Sequence, residues 1–296
     1  MTASADFKAS AAEQMLLRGL LRGFLRLFFR GLVRPPMPVS GQRRVLRALT
    51  AITLTPRGVS RSAGMLGGRP CEWHRPPASS GSVLLYLHGG AFMIGGPDTH
   101  RGICASLAKR GALEVCALDY RLAPEHPYPA ARDDVVAAYQ ALLEAGYRPQ
   151  QIVIGGDSAG GNLSLVGWLV CFSPVTDFTG EQMHEPPAGD PLLHPRWIEQ
   201  AAQLYCPADL PRNDPGLSPL FADLSRLPPT LIQVGEDELL LNDSLRLAER
   251  ARAAGVTLRL ERYPGLWHVF QAHVGMLRAA DYAIARVVAF LRERGV

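Results

Sequence analysis

The fold is decided by the stretch Gln151-Ile152-Val153-Ile154-Gly155-Gly156-Asp157-Ser158-Ala159-Gly160-Gly161. A β-branched run leads into Gly-x-Ser-x-Gly, and the residues that follow Gly161 contain no helix breaker until Gly167. This order predicts a strand, a sharp turn and a helix, which is the setting of a nucleophile elbow. Glycines beside the serine leave room for the adjacent strand and helix. On this stretch alone, a plain glycine-rich turn remains the alternative.

Length and composition indicate a large α/β domain or two small ones. The chain has 296 residues, of which 47% are hydrophobic, enough for a sizeable core. The five cysteines are odd in number and form no C-x-x-C pair. We interpret them as buried thiols in a reducing compartment and expect a cytoplasmic protein. Neither they nor the eight histidines show metal-ligand spacing, and we expect no metal site.

The charge is divided unevenly along the chain. The net charge is +4, but residues 1–62 carry eleven Lys and Arg against two acids. The remaining residues carry twenty basic against twenty-five acidic side chains. A basic arm therefore precedes a mildly acidic body. No uncharged apolar run is long enough to span a membrane.

The basic arm contains an amphipathic segment over residues 11–33. Leucines and phenylalanines recur at helical spacing, and arginines four residues apart, from Arg18 to Arg34, form one polar stripe. Pro35-Pro36 ends the helix. The apolar face requires a cover, so the segment either packs over the domain as part of a lid or contacts an anionic membrane surface. No nucleic-acid-binding motif accompanies the stripe, and we expect it to be solvated.

Apolar strands alternate with helical patterns from residue 82 onward, which predicts a mostly parallel sheet with helices on both faces. An edge hairpin with the turn Gly67-Gly68 precedes this core. A proline-rich segment follows the strand after the elbow, and it contains one helical patch at residues 195–204. We divide the chain into an N-terminal cap or arm (residues 1–57) and a catalytic domain (residues 58–296) with a cap insertion (residues 178–223).

A reactive serine needs a base, and the base needs an orienting acid. In α/β-hydrolases these follow in the order serine, acid, histidine. The strand at residues 230–234 ends in Gly235-Glu236-Asp237-Glu238. We predict that Asp237 is the acid and that its two glutamate neighbours point elsewhere. Asp243 falls inside the next helix, where it caps the helix or is solvated.

The base is expected in a loop after the last strand. His268 lies there, in Trp267-His268-Val269-Phe270, whereas its competitor His273 lies closer to the last helix. We therefore predict His268 as the base.

The oxyanion needs backbone donors close to the serine. Ala159, at the helix start, supplies one N–H group, and the turn His88-Gly89-Gly90-Ala91 supplies the others, because glycine lets the backbone approach the substrate. A phosphate-binding loop is excluded, since no Gly-Lys-Ser/Thr follows. A simple turn is the alternative for these glycines.

Four ordered motifs resemble those of the hormone-sensitive-lipase-like esterases (bacterial family IV). They are His88-Gly89-Gly90-Ala91-Phe92, Asp119-Tyr120-Arg121-Leu122-Ala123-Pro124-Glu125-His126, Gly156-Asp157-Ser158-Ala159-Gly160-Gly161-Asn162 and Trp267-His268-Val269-Phe270. The resemblance covers about residues 70–296. It implies an α/β-hydrolase fold with a helical cap, and hydrolysis of short acyl esters without metal or cofactor.

The same resemblance implies roles for individual residues. Ser158 would be the nucleophile, Asp237 the orienting acid and His268 the base. The oxyanion would be bound by Gly90, Ala91 and Ala159, with Gly89 shaping the loop. Asp157 and the Tyr120–His126 loop would be supports rather than catalysts.

One departure from the family concerns the connection after the serine. Only nine residues, Ala159 to Gly167, remain before the next strand, fewer than the usual crossover of about ten to twelve. We predict a short or distorted helix at residues 159–166, an exposed patch of sheet beside it and marginal stability.

Taken together, the motifs favour a serine carboxylic-ester hydrolase working through an acyl-enzyme. The alternatives are a non-catalytic small-molecule-binding protein on this fold and an esterase impaired by the short connection.

Overall fold

An eight-stranded sheet forms the centre of the molecule, with the order β1-β2-β4-β3-β5-β6-β7-β8. The computed structural model describes residues 12–165 and 168–296. Strands β3 to β8 are parallel to their neighbours, and β2 joins β4 and β1 in antiparallel pairs. The strands are β1 (Ser60–Leu66), β2 (Arg69–Arg75), β3 (Val83–Leu87), β4 (Glu114–Leu118), β5 (Ile152–Asp157), β6 (Trp168–Phe172), β7 (Thr230–Gly235) and β8 (Leu258–Tyr263). The mostly parallel sheet and its edge hairpin are as predicted.

Helices follow most strands, as a parallel sheet requires for its crossovers. They are α1 (Ala12–Phe24), α2 (Arg30–Leu32), α3 (Val39–Thr50), α4 (Arg101–Gly111), α5 (Ala130–Glu144), α6 (Ala159–Leu163), α7 (Pro195–Tyr205), α8 (Leu241–Ala253) and α9 (Arg278–Arg292). A π-helical turn, Leu25–Phe29, joins α1 to α2. Among the helices of these described residues, none is long and apolar enough to cross a membrane. The sequence reasoning did not anticipate α3.

The central strands are buried on both faces. All five residues of β3 and all six of β5 are buried, which explains their apolar and glycine composition. Ser158 therefore follows a strand that is fixed by packing on both of its faces.

The π turn after α1 and the helices α3 and α7 pack on one another above the carboxyl ends of the strands. The rings of Phe29 and Trp197 meet edge to face at 6.0 Å, and Trp197 Nε1 donates to Gln42 Oε1 at 2.8 Å. We call residues 12–54 together with 178–223 the cap layer. Its N-terminal and inserted parts are in direct contact, although more than 100 residues separate them in the sequence.

The orientation of α1 differs from the expectation that its arginine stripe is solvated. Arg18 and Arg22 donate to groups of the catalytic domain. The face turned to solvent is instead apolar: Leu16, Leu20 and Leu27 are 68%, 64% and 67% exposed. The segment carries enough apolar residues to wrap most of its circumference, so packing Leu21 and Leu25 inward still leaves leucines outside.

The connection after the serine is short, as predicted, with a helix of five residues (Ala159–Leu163). Val166 and Gly167 lie outside the described residues. The predicted exposed patch of sheet is absent from the described part of β5 and β6, because Val170, Cys171 and Phe172 are all buried. Side chains of the segment around Leu220 and of α8 pack with Cys171 instead. This prediction was wrong because neighbouring segments cover the sheet.

Candidate active site

Ser158 occupies a strained turn between β5 and α6. Its backbone has φ +52° and ψ −114°, a conformation that costs free energy and is held by its surroundings. A Cβ atom on Gly160 would collide with the Leu87 carbonyl group, and one on Gly156 would collide with the same carbonyl oxygen. The glycines are thus required by close packing against β3, as the sequence predicted for a nucleophile elbow.

Ser158 and His268 line the same cavity of about 370 Å³. Gly89 and Gly90 form another part of the wall, whereas Ala91 and Ala159 are not among its lining residues. The cap layer supplies apolar side chains to the opposite wall, including Leu21, Leu25, Phe29 and Trp197. The cavity is therefore polar on the side of Ser158 and His268 and apolar on the side of the cap layer.

The carboxylate beside His268 belongs to Glu238, which corrects the prediction of Asp237. His268 Nδ1 lies 3.2 Å from Glu238 Oε1, and both side chains are buried. The Asp237 carboxylate instead pairs with Arg22 at 2.5 Å. Beyond Gly235 the chain turns, so that the third residue after the strand, not the second, points toward the histidine.

Glu238 is held by two further hydrogen bonds. Its Oε2 accepts from Ser173 Oγ at 2.7 Å and from the Gly235 backbone N–H at 3.0 Å. Ser173 Oγ also accepts from the Val269 N–H at 3.3 Å. Sequence reasoning missed Ser173, because a serine after a strand carries no signal that it will meet a loop 65 residues away.

The environment of His268 favours its charged form. Burial opposes the charge, but the hydrogen bond and the negative charge of Glu238 outweigh burial and raise the pKa of His268. The competitor His273 differs, since burial alone lowers its pKa to about 4. Of the two histidines, His268 has the carboxylate that could orient it and stabilise an imidazolium.

The turn after β3 places backbone groups at the cavity. Gly90 has φ +122°, and a Cβ atom there would collide with the Ile94 carbonyl group. Tyr120 Oη donates to the His88 carbonyl oxygen at 2.6 Å, and the Ala123 N–H donates to the Phe92 carbonyl oxygen at 2.8 Å. The loop that contains Tyr120 thus braces the glycine turn, in agreement with the supporting role that the resemblance implied.

Asp157 lies directly beneath the serine in a buried polar cluster. Its carboxylate accepts from Tyr86 Oη at 2.7 Å and from His100 Nε2 at 3.2 Å. Burial opposes the charge on Asp157, but His100 and the Tyr86 hydrogen bond lower its pKa overall. Burial likewise opposes the charge on His100, and Asp157 raises its pKa. The carboxylate therefore serves the structure of the elbow.

Asp243, expected as a solvated or capping residue, is buried at the start of α8. Its Oδ2 accepts from the N–H groups of Thr176 and Asp177 at 2.6 and 3.0 Å. Burial is the main reason why its pKa is raised to about 7. It fixes the loop after β6.

No group of three or more His, Cys, Asp or Glu side chains in the described residues could hold a metal ion.

Comparison with known proteins bears on the fold and on the class of reaction. A family model for the alpha/beta hydrolase fold matches residues 84–272. An esterase of Acinetobacter venetianus is 38% identical over 245 residues, which cover 78% of this chain and 80% of the relative. An ethyl acetate hydrolase of Pseudomonas putida is 31% identical, covering 76% of this chain and 78% of the relative.

Solved structures agree closely with the fold. A hormone-sensitive lipase from a metagenome library superposes with a TM-score of 0.87 at 36% identity, covering 94% of this chain and 98% of the other. An esterase of the bacterial hormone-sensitive lipase family gives 0.86 at 36% identity, covering 97% and 99%. Both span the cap layer as well as the sheet. The chain belongs to the hormone-sensitive-lipase-like family of carboxylic-ester hydrolases with the α/β-hydrolase fold.

Proposed function

We propose that Ser158, His268 and Glu238 form the catalytic triad of this ester hydrolase. The observation that carries the proposal is the buried hydrogen bond between His268 and Glu238 beside a cavity that also contains Ser158. His268 would take the proton of Ser158 as its oxygen attacks the ester carbonyl carbon. The carbonyl π bond opens, and its electron pair becomes the oxyanion.

Backbone N–H groups of Gly90, Ala91 and Ala159 would hold the oxyanion, with Gly89 shaping the turn. His268⁺ then gives its proton to the departing alkoxide, which leaves an acyl-serine and a free alcohol. Water, deprotonated by His268, attacks the acyl carbon and releases the acid. Glu238 stays ionised throughout and stabilises the imidazolium.

We propose short acyl esters as substrates. Relatives described as an acetyl-hydrolase of Streptomyces hygroscopicus and an ethyl acetate hydrolase point to small acyl groups, and a cavity of about 370 Å³ suits them. We also propose that residues 1–57 and 178–223 act as the cap of the domain formed by residues 58–296. The described cysteines are free thiols, which supports a cytoplasmic location.

Labelling with a serine-reactive organophosphonate, followed by peptide mapping, tests the nucleophile. We expect one label on Ser158, since only an activated serine attacks phosphorus at a useful rate. The matched control is Ser164→Ala, which removes a nearby buried hydroxyl that donates to the Gly160 carbonyl and should leave labelling intact. A label that persists in Ser158→Ala would overturn the assignment.

A second observation favours contact with an anionic lipid surface, which we propose as a partner of this enzyme. Phe24 of α1 is 39% exposed, and it lines the cavity together with Ile52 and Leu54, which are 82% and 54% exposed. Exposed apolar surface therefore reaches the cavity that contains Ser158. Residues 14–62 contain ten arginines and no acidic residue. Arg44 and Arg57 are exposed and take part in none of the ion pairs of the described residues, so their charge is free to complement anionic headgroups.

Co-sedimentation with vesicles tests this contact. We expect binding to phosphatidylglycerol vesicles, weaker binding to phosphatidylcholine, and loss of binding in the double variant Leu16→Gln/Leu20→Gln. Neither leucine lines the cavity, so hydrolysis of a dissolved acetate ester should be unchanged. The control is Met65→Gln, at an equally exposed apolar residue of strand β1. Equal binding by the double variant, or a dimer that this variant abolishes, would reject the lipid contact.

A further inference from the structure

Arginines of α1 and the following π turn contact the catalytic domain and its inserted segment. Arg18 donates to the carbonyl oxygens of Gly265 and Pro264 at 2.7 and 3.2 Å. Arg22 pairs with Asp237 at 2.5 Å. Arg26, in the π turn, donates to the carbonyl of Ala188 in the inserted segment. Successive arginines of the stripe thus reach three separate segments.

Two of these segments carry the groups that we place in the triad. Asp237 immediately precedes Glu238, and Gly265 lies three residues before His268. The two loops are also bonded to each other, since the Asp237 N–H donates to the Leu266 carbonyl at 2.8 Å and the Glu236 N–H donates to the Tyr263 carbonyl at 3.1 Å. The helix therefore holds both loops at the point where they meet.

The same helix forms part of the cavity wall through Leu21 and Phe24. One rigid element consequently fixes both the wall opposite the serine and the backbone that carries the acid and the base. A shift of α1 would move Asp237 and Gly265 together with that wall.

We propose that Arg22 and Asp237, assisted by Arg18, form an ionic clamp that positions Glu238 against His268; this rests on the proposed triad. The pair is partly exposed, at 23% and 19% of the two side chains, and such pairs contribute little to stability. Its effect lies in geometry, because a displacement of about 1 Å in catalytic groups can cost on the order of a hundredfold in rate.

The test compares Arg22→Gln, Asp237→Asn and the double variant on a small acetate ester. We expect each single change to lower kcat about tenfold with little change in KM, and the double variant to match the singles, because the same bond is lost in all three. Arg22→Lys, which keeps the charge, should recover part of the rate. The control is Arg262→Gln, which removes the pair between Arg262 and Glu236 at 2.7 Å without touching α1.

The pH profile separates positioning from a general loss of structure. The charged groups around His268 are Glu238, Asp190 and Asp157, and none of them is altered by Arg22→Gln. If the clamp holds Glu238 in place, the acid limb of the kcat profile should move to lower pH in Arg22→Gln and stay unchanged in Arg262→Gln. High salt should reduce kcat of the wild type but not of Arg22→Gln.

Wild-type kcat and an unmoved acid limb in both clamp variants would overturn the clamp, as would multiplicative losses in the double variant. Neither result would affect the triad, which stands or falls on Ser158→Ala and Glu238→Gln. An active Ser158→Ala would overturn the triad whatever the clamp variants do.

Discussion

The two walls of the cavity are built on opposite principles. On the sheet side, Ser158, Glu238 and His268 are buried, and Glu238 alone accepts three hydrogen bonds. On the cap side, Leu21 and Phe24 line the cavity from a helix whose outer face is apolar and exposed. The difference teaches that a buried charged pair such as His268 and Glu238 must be fixed by directed hydrogen bonds, whereas an apolar wall needs only apolar area.

Among the changes to the sheet-side wall, Ser158→Ala should cause the largest loss of activity. We expect kcat on a short acyl ester to fall by on the order of a millionfold, as for other triad serines, because the acyl-enzyme can no longer form. Steady-state assays with a purified variant measure this loss. Near-normal turnover would show that the chemistry lies elsewhere in the cavity.

The second largest loss of activity is expected when the carboxylate of Glu238 is removed. Glu238→Gln should lower kcat by about 10³- to 10⁴-fold, since an amide cannot stabilise the imidazolium. Asp237→Asn, the neighbouring carboxylate, should lose only about tenfold through the clamp. Paired kinetics of the two variants decide which carboxylate serves His268, and a larger loss at Asp237 would reverse the assignment.

The pH dependence follows from the direction of the His268 shift. A base works in its neutral form, and a raised pKa keeps His268 protonated to higher pH. The rate should therefore fall on acidification with a midpoint above the ordinary histidine value of about 6.5. A kcat/KM profile between pH 5 and 9 measures it. A midpoint well below that value would contradict the pairing with Glu238.

On the cap-side wall, Leu21→Ala should change selectivity rather than chemistry. We expect KM for a hexanoate ester to rise about tenfold, which corresponds to roughly 1.4 kcal/mol, while acetate hydrolysis stays the same. The matched control is Leu20→Ala, because Leu20 is the next residue yet points to solvent. Equal effects of the two changes would mean that this wall does not bind the acyl chain.

The smallest effect is expected at His273, which lines the cavity without a carboxylate partner among the described hydrogen bonds. His273→Ala should cost less than tenfold in kcat. A loss comparable to that of His268→Ala would mean that the base had been assigned to the wrong histidine.

The sheet could be read from the sequence because its signals are local. Ile152–Ile154 and the glycines around Ser158 need only their own chemistry to predict a strand and a tight turn. Which carboxylate lies beside His268 could not be predicted from local signals. Three acidic residues follow Gly235, and the choice among them depends on Arg22, Ser173 and Arg262, which come from three distant parts of the chain.

In the cap layer, the sequence did not predict which face of α1 contacts the rest of the protein. Arginines at every fourth position looked like a solvated stripe, because sequence periodicity gives the relative faces of a helix but not which face meets the protein. The partners of Arg18 are backbone carbonyl groups, which no side-chain pattern reveals. The absence of acids from residues 14–62 was the available hint that these arginines needed partners elsewhere.

The π turn at Leu25–Phe29 has a consequence for how this segment can vary in evolution. Residues spaced by four drift about 40° per step around a helix of 3.6 residues per turn, and a π turn, which holds one additional residue, takes up such drift. Adding a further residue there would rotate α1 by about 100° relative to Phe29 and turn Arg18 and Arg22 away from their loops. The segment should therefore tolerate exchanges among its outer leucines far more readily than the insertion of a single codon.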